Sequence, residues 1–135
     1  MSAIEAVVET AIYVDDLLAA ETFYRDVLGL EVLGKEAGRH VFFRVGGGVL
    51  LAFNPETTRG GDTLPAHGAD GPSHFALGIR SEDFETWRQR LQARGIPLEK
   101  EIRWPRGGRS IYFRDPAGNS VELITPGVWG LASGW

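Results

Sequence analysis

The chain has 135 residues and a formal charge of -4, from 14 Lys and Arg against 18 Asp and Glu. At 43% hydrophobic and 24% charged residues it has the composition of one globular domain. It has no cysteine, which excludes disulfides, thiolate metal sites and a Cys nucleophile, and its mild acidity argues against a nucleic-acid binder, which needs a basic stripe.

No apolar run approaches the ~20 residues of a membrane span. Met1–Glu5 has neither a basic stretch nor a hydrophobic run, so no signal peptide is expected and the expected compartment is the cytoplasm.

Glu9–Val14 alternates and is rich in strand formers. Asp15 and Asp16 break the strand and offer N-caps. Leu17, Leu18, Phe23, Tyr24, Val27 and Leu28 then have the spacing of one buried helix face, and Gly29 stands where a C-cap belongs. Strand signals follow at about Glu31–Lys35, His40–Val45 and Val49–Asn54, with Gly46–Gly48 as a hairpin turn.

Pro55–Pro72 is rich in Gly, Pro, Thr and Asp, shows no periodicity and reads as a linker. The order then repeats. His74–Ile79 is a strand, Ser81 a candidate N-cap, and Phe84, Trp87 and Leu91 a helical stripe ending before Gly95. Strands are expected at about Leu98–Trp104, Ile111–Arg114 and Ser120–Thr125, the last two joined by the turn Asp115–Asn119. The tail from Pro126 carries Trp129, Leu131 and Trp135, which predicts docking on the body or on a partner chain.

Each half therefore reads β-α-β-β-β, module one over residues 5–54 and module two over 74–125, joined by a linker at 55–73 and followed by a tail at 126–135. The expected fold class is α+β: two such modules suggest a curved mixed sheet that encloses a cleft, in a single domain.

Strand alternation places side chains on faces. Thr10, Ile12 and Val14 share one face of the first strand, and Phe75, Leu77 and Ile79 share one face of its counterpart. These bulky sets should pack on the helices. The opposite sets, with Glu9, Ala11 and Tyr13 or His74, Ala76 and Gly78, should face the cleft, where the small residues leave room for a bound group. Val121 and Leu123 point to the core, so Glu122 points to the cleft, and aligning Val121 with Val49 makes Leu50 its counterpart.

Glu9, Leu50, His74 and Glu122 are thus the repeat-related cleft positions, and three of them hold residues able to bind a metal. A carboxylate inside an apolar strand costs several kcal/mol unless it is paired, protonated or bound to a cation. The alternatives are a satisfied strand histidine, a solvated Glu9, and a Glu122 paired with Arg114. Tyr112 and Arg114 share a face, as do His40, Phe42 and Arg44. Tyr13 and Tyr112 are candidate hydrogen-bond donors to a ligand. Arg114, and Arg109 and Trp104 in the loop Trp104–Ser110, are candidate substrate contacts, with solvated residues on a strand or hairpin as the alternative.

Tyr13–Leu17 (Tyr-Val-Asp-Asp-Leu), Phe23–Leu30, His74-Phe-Ala-Leu and Asp115–Leu123, in this order and with these gaps, closely resemble the vicinal oxygen chelate superfamily. This is the glyoxalase/bleomycin resistance/dioxygenase family. The resemblance spans about Val7 to Pro126. It implies paired βαβββ modules around a U-shaped cleft, usually a homodimer, a small-molecule substrate and, in metal-dependent members, ligand positions that fall on Glu9, Leu50, His74 and Glu122. In some members the ligands come from two chains.

Two departures matter. Glyoxalase I enzymes resemble a four-ligand case whose glutamate falls where this chain has Leu50, so lactoylglutathione lyase activity is not expected. Extradiol dioxygenases and fosfomycin-resistance transferases use His, His and Glu, whereas this chain has Glu9 first, which favours oxygen-preferring metals. The resulting expectation is one divalent ion (Mn, Fe, Zn, Ni or Mg) on Glu9, His74 and Glu122, acting as a Lewis acid on a small oxygenated molecule. The alternatives are a metal-free, drug-sequestering protein of the bleomycin-resistance type and an inert structural dimer.

Overall fold

Alternating side chains and Gly-rich turns produce the same arrangement twice. The computed structural model describes residues 2–60 and 65–135, which fall into two units, Met1–Gly71 and Pro72–Trp135. In the first, strands β1 (Glu9–Tyr13), β2 (Glu31–Glu36), β3 (His40–Val45) and β4 (Gly48–Phe53) form a sheet in the order β1-β4-β3-β2. In the second, β5 (His74–Gly78), β6 (Lys100–Arg103), β7 (Arg109–Arg114) and β8 (Ser120–Ile124) form the order β5-β8-β7-β6. β1 runs parallel to β4 and β5 parallel to β8; the other pairs are antiparallel. This is the repeat expected from the sequence.

Asp16 caps α1 (Leu17–Thr22) by accepting from Ala19 N at 2.9 Å. The helix does not run on as α-helix: Phe23–Val27 widens into a π turn, closed by Leu28 N donating to Phe23 O at 3.2 Å. Gly29 then ends it at φ 74°, a conformation that a side chain disfavours. Tyr24 from this segment is fully buried with its ring centroid 5.4 Å from that of Phe43, in the core of module one that also holds Ile12, Val41 and Leu50.

Module two buries Phe84 and Leu91 of α3 (Phe84–Ala93) along with Ile111, Phe113, Val121 and Leu123. Each such side chain contributes about 1.5–3 kcal/mol by leaving water. Ser81 does not cap α3 but opens a 3-10 turn, Ser81–Asp83, that leads into it.

The linker is more structured than its composition implies. Asn54 caps a short helix, α2 (Pro55–Thr58), which tolerates Pro55 because an N-terminal helix position needs no N–H partner. Residues 61–64 of the predicted linker lie outside the described residues. Among the described residues no helix is long and apolar enough to cross a membrane.

The tail folds back on module two. Trp135 O accepts from Trp129 N and Leu131 N, and the Trp135 indole lies against Gly78, where a Cβ would collide with three of its ring atoms. The room expected over Gly78 is therefore filled by the chain itself. Trp129 remains exposed.

A buried turn fixes the start of β5. Asp115 Oδ1 accepts from Ala117 N and Asn119 N, and Asn119 Nδ2 donates to Asp115 Oδ2 at 2.9 Å. Asn119 Oδ1 accepts from Ser73 N at 2.9 Å, immediately before His74. Asn119→Ala leaves buried partners unsatisfied and should cost about 2–3 kcal/mol in urea unfolding. A loss below about 0.5 kcal/mol, the range of ordinary surface changes, would show that the turn does not depend on this side chain.

Candidate functional site

Rows of paired residues across each sheet define its open face, the one opposite the helix. In module two, Ala76, Glu122 and Tyr112 form one row, because Ala76 pairs with Glu122 and Glu122 with Tyr112. His74, Ser120 and Arg114 form the next row.

Glu122 lies in β8 with neighbours on both sides and is only 5% exposed. Its Oε2 accepts from Ser110 Oγ at 2.5 Å, and Ser110 Oγ in turn accepts from Trp104 Nε1 at 2.8 Å. The Tyr112 phenol also bonds Glu122. These donors offset the cost of burying a carboxylate.

His74 Nε2 lies 3.2 Å from Glu122 Oε1, while its Nδ1 lies 3.1 Å from Ser120 O and 3.2 Å from Ser120 Oγ. A backbone carbonyl only accepts. When Nδ1–H donates to it, the Nε2 lone pair and a carboxylate oxygen face each other and call for a cation between them. With the other tautomer, Ser120 Oγ–H donates to Nδ1 and Nε2–H donates to Glu122. The pair is thus complete without a metal and fits one equally well.

The Tyr112 ring stacks on His74 with centroids 6.0 Å apart. Burial, then the Glu122 charge, pushes its phenol above the usual range. The proton therefore stays on Tyr112 at neutral pH, as a donor.

Glu9 occupies in module one the place of His74 in module two, since Glu9 pairs with Val49 as His74 pairs with Ser120. Among the described residues no three His, Asp or Glu side chains gather at one point. Glu9, Ala11, Tyr13 and Leu51 line a cavity of about 640 Å³ with Phe42 and Phe53. At its edge, Arg39 Nη1 donates to His40 Nδ1 at 2.7 Å, and the His40 ring stacks on Phe42 at 4.0 Å. Burial, then the Arg39 charge, pushes the His40 pKa down, so it is neutral.

The register corrects three expectations. Ala11 pairs with Leu51 as Ala76 pairs with Glu122, so the counterpart of Glu122 is Leu51. Leu50 points the other way, is 2% exposed and belongs to the core. Arg109 likewise points to the helix side, its guanidinium 3.7 Å from the centroid of Phe84. Arg114 does not pair with Glu122; its Nε donates to Glu99 at 2.9 Å and its Nη1 to Gly118 O. Of the loop residues, Trp104 does reach the site, through Ser110.

Sequence reasoning missed Ser110, Leu51 and His67. Ser110 and Leu51 follow from counting strand parity through the correct register, whereas His67 lies in a segment without periodicity.

Replacing Tyr112 with Phe should remove, from an ultraviolet alkaline titration, a phenol ionising above the ordinary value of about 10. Its folded pKa lies above the unfolded one, so its contribution to stability is complete below about pH 10 and is lost as pH rises through the folded value. A missing component at the ordinary value instead would place Tyr112 in solvent.

Residues 6–123 match the Glyoxalase/Bleomycin resistance protein/Dioxygenase superfamily. The chain is 34% identical over 117 residues to metallothiol transferase FosB of Bacillus licheniformis, covering 86% of this chain and 72% of that one. It is 30% identical over 111 residues to glutathione transferase FosA of Serratia marcescens, covering 82% and 73%. Among solved structures, lactoylglutathione lyase from Agrobacterium tumefaciens superposes with a TM-score of 0.92 at 45% identity, covering 96% of this chain and all of that one. With the twofold βαβββ topology, these matches establish that the chain belongs to the glyoxalase/bleomycin resistance/dioxygenase superfamily.

Proposed function

We propose that the protein is a metal-dependent enzyme acting on a small oxygenated molecule, with Glu9, His74 and Glu122 as ligands of one divalent cation. The observation that carries this reading is the convergence of His74 Nε2 and Glu122 Oε1, 3.2 Å apart on an open sheet face. Glu9 is proposed as third ligand because the repeat gives it the position of His74. Two carboxylates and an imidazole favour a hard or borderline ion such as Mn, Fe, Zn, Ni or Mg.

Bound there, the ion would supply Lewis acidity toward a substrate oxygen. The chain's own groups do the rest. Ser120 O can accept from His74 Nδ1–H, which leaves Nε2 free to hold the ion. Ser110, backed by Trp104, fixes one Glu122 oxygen and leaves the other toward His74. Tyr112, protonated at neutral pH, can donate to a developing oxyanion.

The transferase names of the Bacillus and Serratia relatives support thiol transfer to an oxygenated molecule as the first activity to assay. The name of the Agrobacterium structure supports lactoylglutathione lyase as a second reading. Leu51, which neither ligates nor moves a proton, weighs against that second reading. A metal-free binding role draws on the cavity of module one.

We treat the two modules as one functional domain and the active species as a homodimer. Exposed Ile4, Val7, Val8, Trp129 and Leu131 supply apolar surface for association. Analytical ultracentrifugation should give about twice the 14.8 kDa chain mass; a monomer at micromolar concentration would refute the dimer.

Elemental analysis of protein dialysed without chelator, followed by Mn²⁺ titration, tests the metal. About one ion per chain is expected, with affinity lowered at least tenfold in His74→Ala and in Glu9→Gln, by analogy with the cost of disturbing a metal's ligand environment. Unchanged binding in His74→Ala would reject this ligand set. No binding of any divalent ion by the wild type would leave the metal-free reading.

A further inference from the structure

The linker delivers to the open face of module one a second histidine, beside His40 of β3. His67 N donates to Thr58 O at 3.1 Å, and Thr58 Oγ donates to His67 O at 2.9 Å, with Thr58 only 3% exposed. The Arg59 side chain crosses Gly68, where a Cβ would come 2.7 Å from Arg59 Cγ, and its guanidinium pairs with Asp70. The His67 ring stands edge-on to Phe53 with centroids 4.2 Å apart, and Nδ1 lies 3.2 Å from Tyr13 Oη. Backbone, ring and one nitrogen are all fixed, so the imidazole has a defined orientation at the cavity.

The chemistry of the neighbouring groups leaves His67 as the candidate base of this cavity. Leu51 is inert, and Glu9 is the proposed metal ligand. His40 accepts from Arg39 through Nδ1 and has its pKa pushed down. Tyr13, on β1, and His67 share one proton position. When Nδ1–H donates to Tyr13 Oη, Nε2 carries the lone pair of a base.

The rest of the lining describes the ligand. Phe42 and Phe53 stand edge to face, centroids 5.4 Å apart, and offer aromatic surface to a flat apolar body. About 640 Å³ lies within the range of ~300–1,000 Å³ typical of small-molecule pockets. Facing that space, Arg39 favours an anion and Glu9 opposes one.

We propose that the module-one cavity binds a flat, apolar molecule bearing a weakly acidic hydroxyl, a phenol or an enol, and that His67 takes the hydroxyl proton. The O–H bond breaks with its electron pair left on oxygen, and an N–H bond forms at Nε2. Neutral imidazole and neutral hydroxyl become imidazolium and oxyanion, while Nδ1 keeps its proton and donates it to Tyr13 Oη in a hydrogen bond. This names a substrate class for the function proposed above, but the proton transfer itself needs no metal.

Para-nitrophenol is a suitable probe, because its ionised form absorbs visible light. It is titrated with wild type, His67→Gln and Tyr13→Phe at a pH where the free probe is mostly protonated. The wild type should raise the ratio of ionised to neutral bound probe by about tenfold or more, a shift of one pKa unit. His67→Gln should abolish that rise and Tyr13→Phe should reduce it. Equal ionisation by wild type and His67→Gln, or no binding by the wild type, would overturn the proposal.

Mn²⁺ binding by the same three proteins separates the two readings. Retained Mn²⁺ affinity in His67→Gln shows that the variant is folded and makes its lost ionisation decisive. Absence of Mn²⁺ binding in the wild type with probe ionisation intact would remove the metal and leave this site standing.

Discussion

The arrangement of module two depends on keeping one carboxylate inside a sheet. Glu122 sits between the core residues Val121 and Leu123 in β8. An isolated ionised carboxylate there would cost several kcal/mol. The solution uses the topology: β8 is flanked by β5 and β7, so His74 approaches from one side and Ser110 and Tyr112 from the other. An edge strand would have only one such neighbour. The Asp115–Asn119 turn serves the same end, because it ties the start of β5 to the strand that carries Glu122.

Module one has the same strand order with the opposite chemistry. Where β8 has Glu122, β4 has Leu51, and the open face becomes apolar and aromatic. Its polar groups are displaced to the edge: Arg39 with His40 at the start of β3, and Tyr13 with His67 from the linker. One copy of the repeat thus holds buried charge, and the other encloses a hydrophobic space with titratable groups around it. That is how a duplicated fold can acquire two kinds of site without changing its backbone plan.

The β-α-β-β-β order of each half was legible because period-2 and period-3.6 patterns were clean and the turns carried Gly, Asp and Asn, whereas the short helix Pro55–Thr58 in the linker was not. The faces of β1, β5 and β8 followed from alternation, so Glu9, His74 and Glu122 were placed on open faces correctly. The failures have physical causes. Aligning Val49 with Val121, instead of matching the residues that pair with Glu9 and His74, slipped β4 by one residue, and a one-residue slip turns every side chain to the other face. Arg109 was read as loop although β7 already begins there, which settles its direction. Trp135 over Gly78 and His67 beside Tyr13 are long-range contacts made by segments without periodicity, so no local pattern announces them.

Charge arithmetic bears on which reaction class the proposed ligand set can support. As ligands, two carboxylates would bring two negative charges and a coordinating imidazole none, so a divalent cation there would be formally neutralised. A further carboxylate would make the site anionic, lower the Lewis acidity felt by a substrate oxygen and take up a coordination position. Leu51 avoids both effects. It also removes the group that a proton-shuttling isomerase would draw from that position. An enzyme built on the proposed ligand set would therefore need its acid–base group elsewhere. On the open face of module one, the candidate base held in place by its own backbone bonds and by a buried threonine is His67.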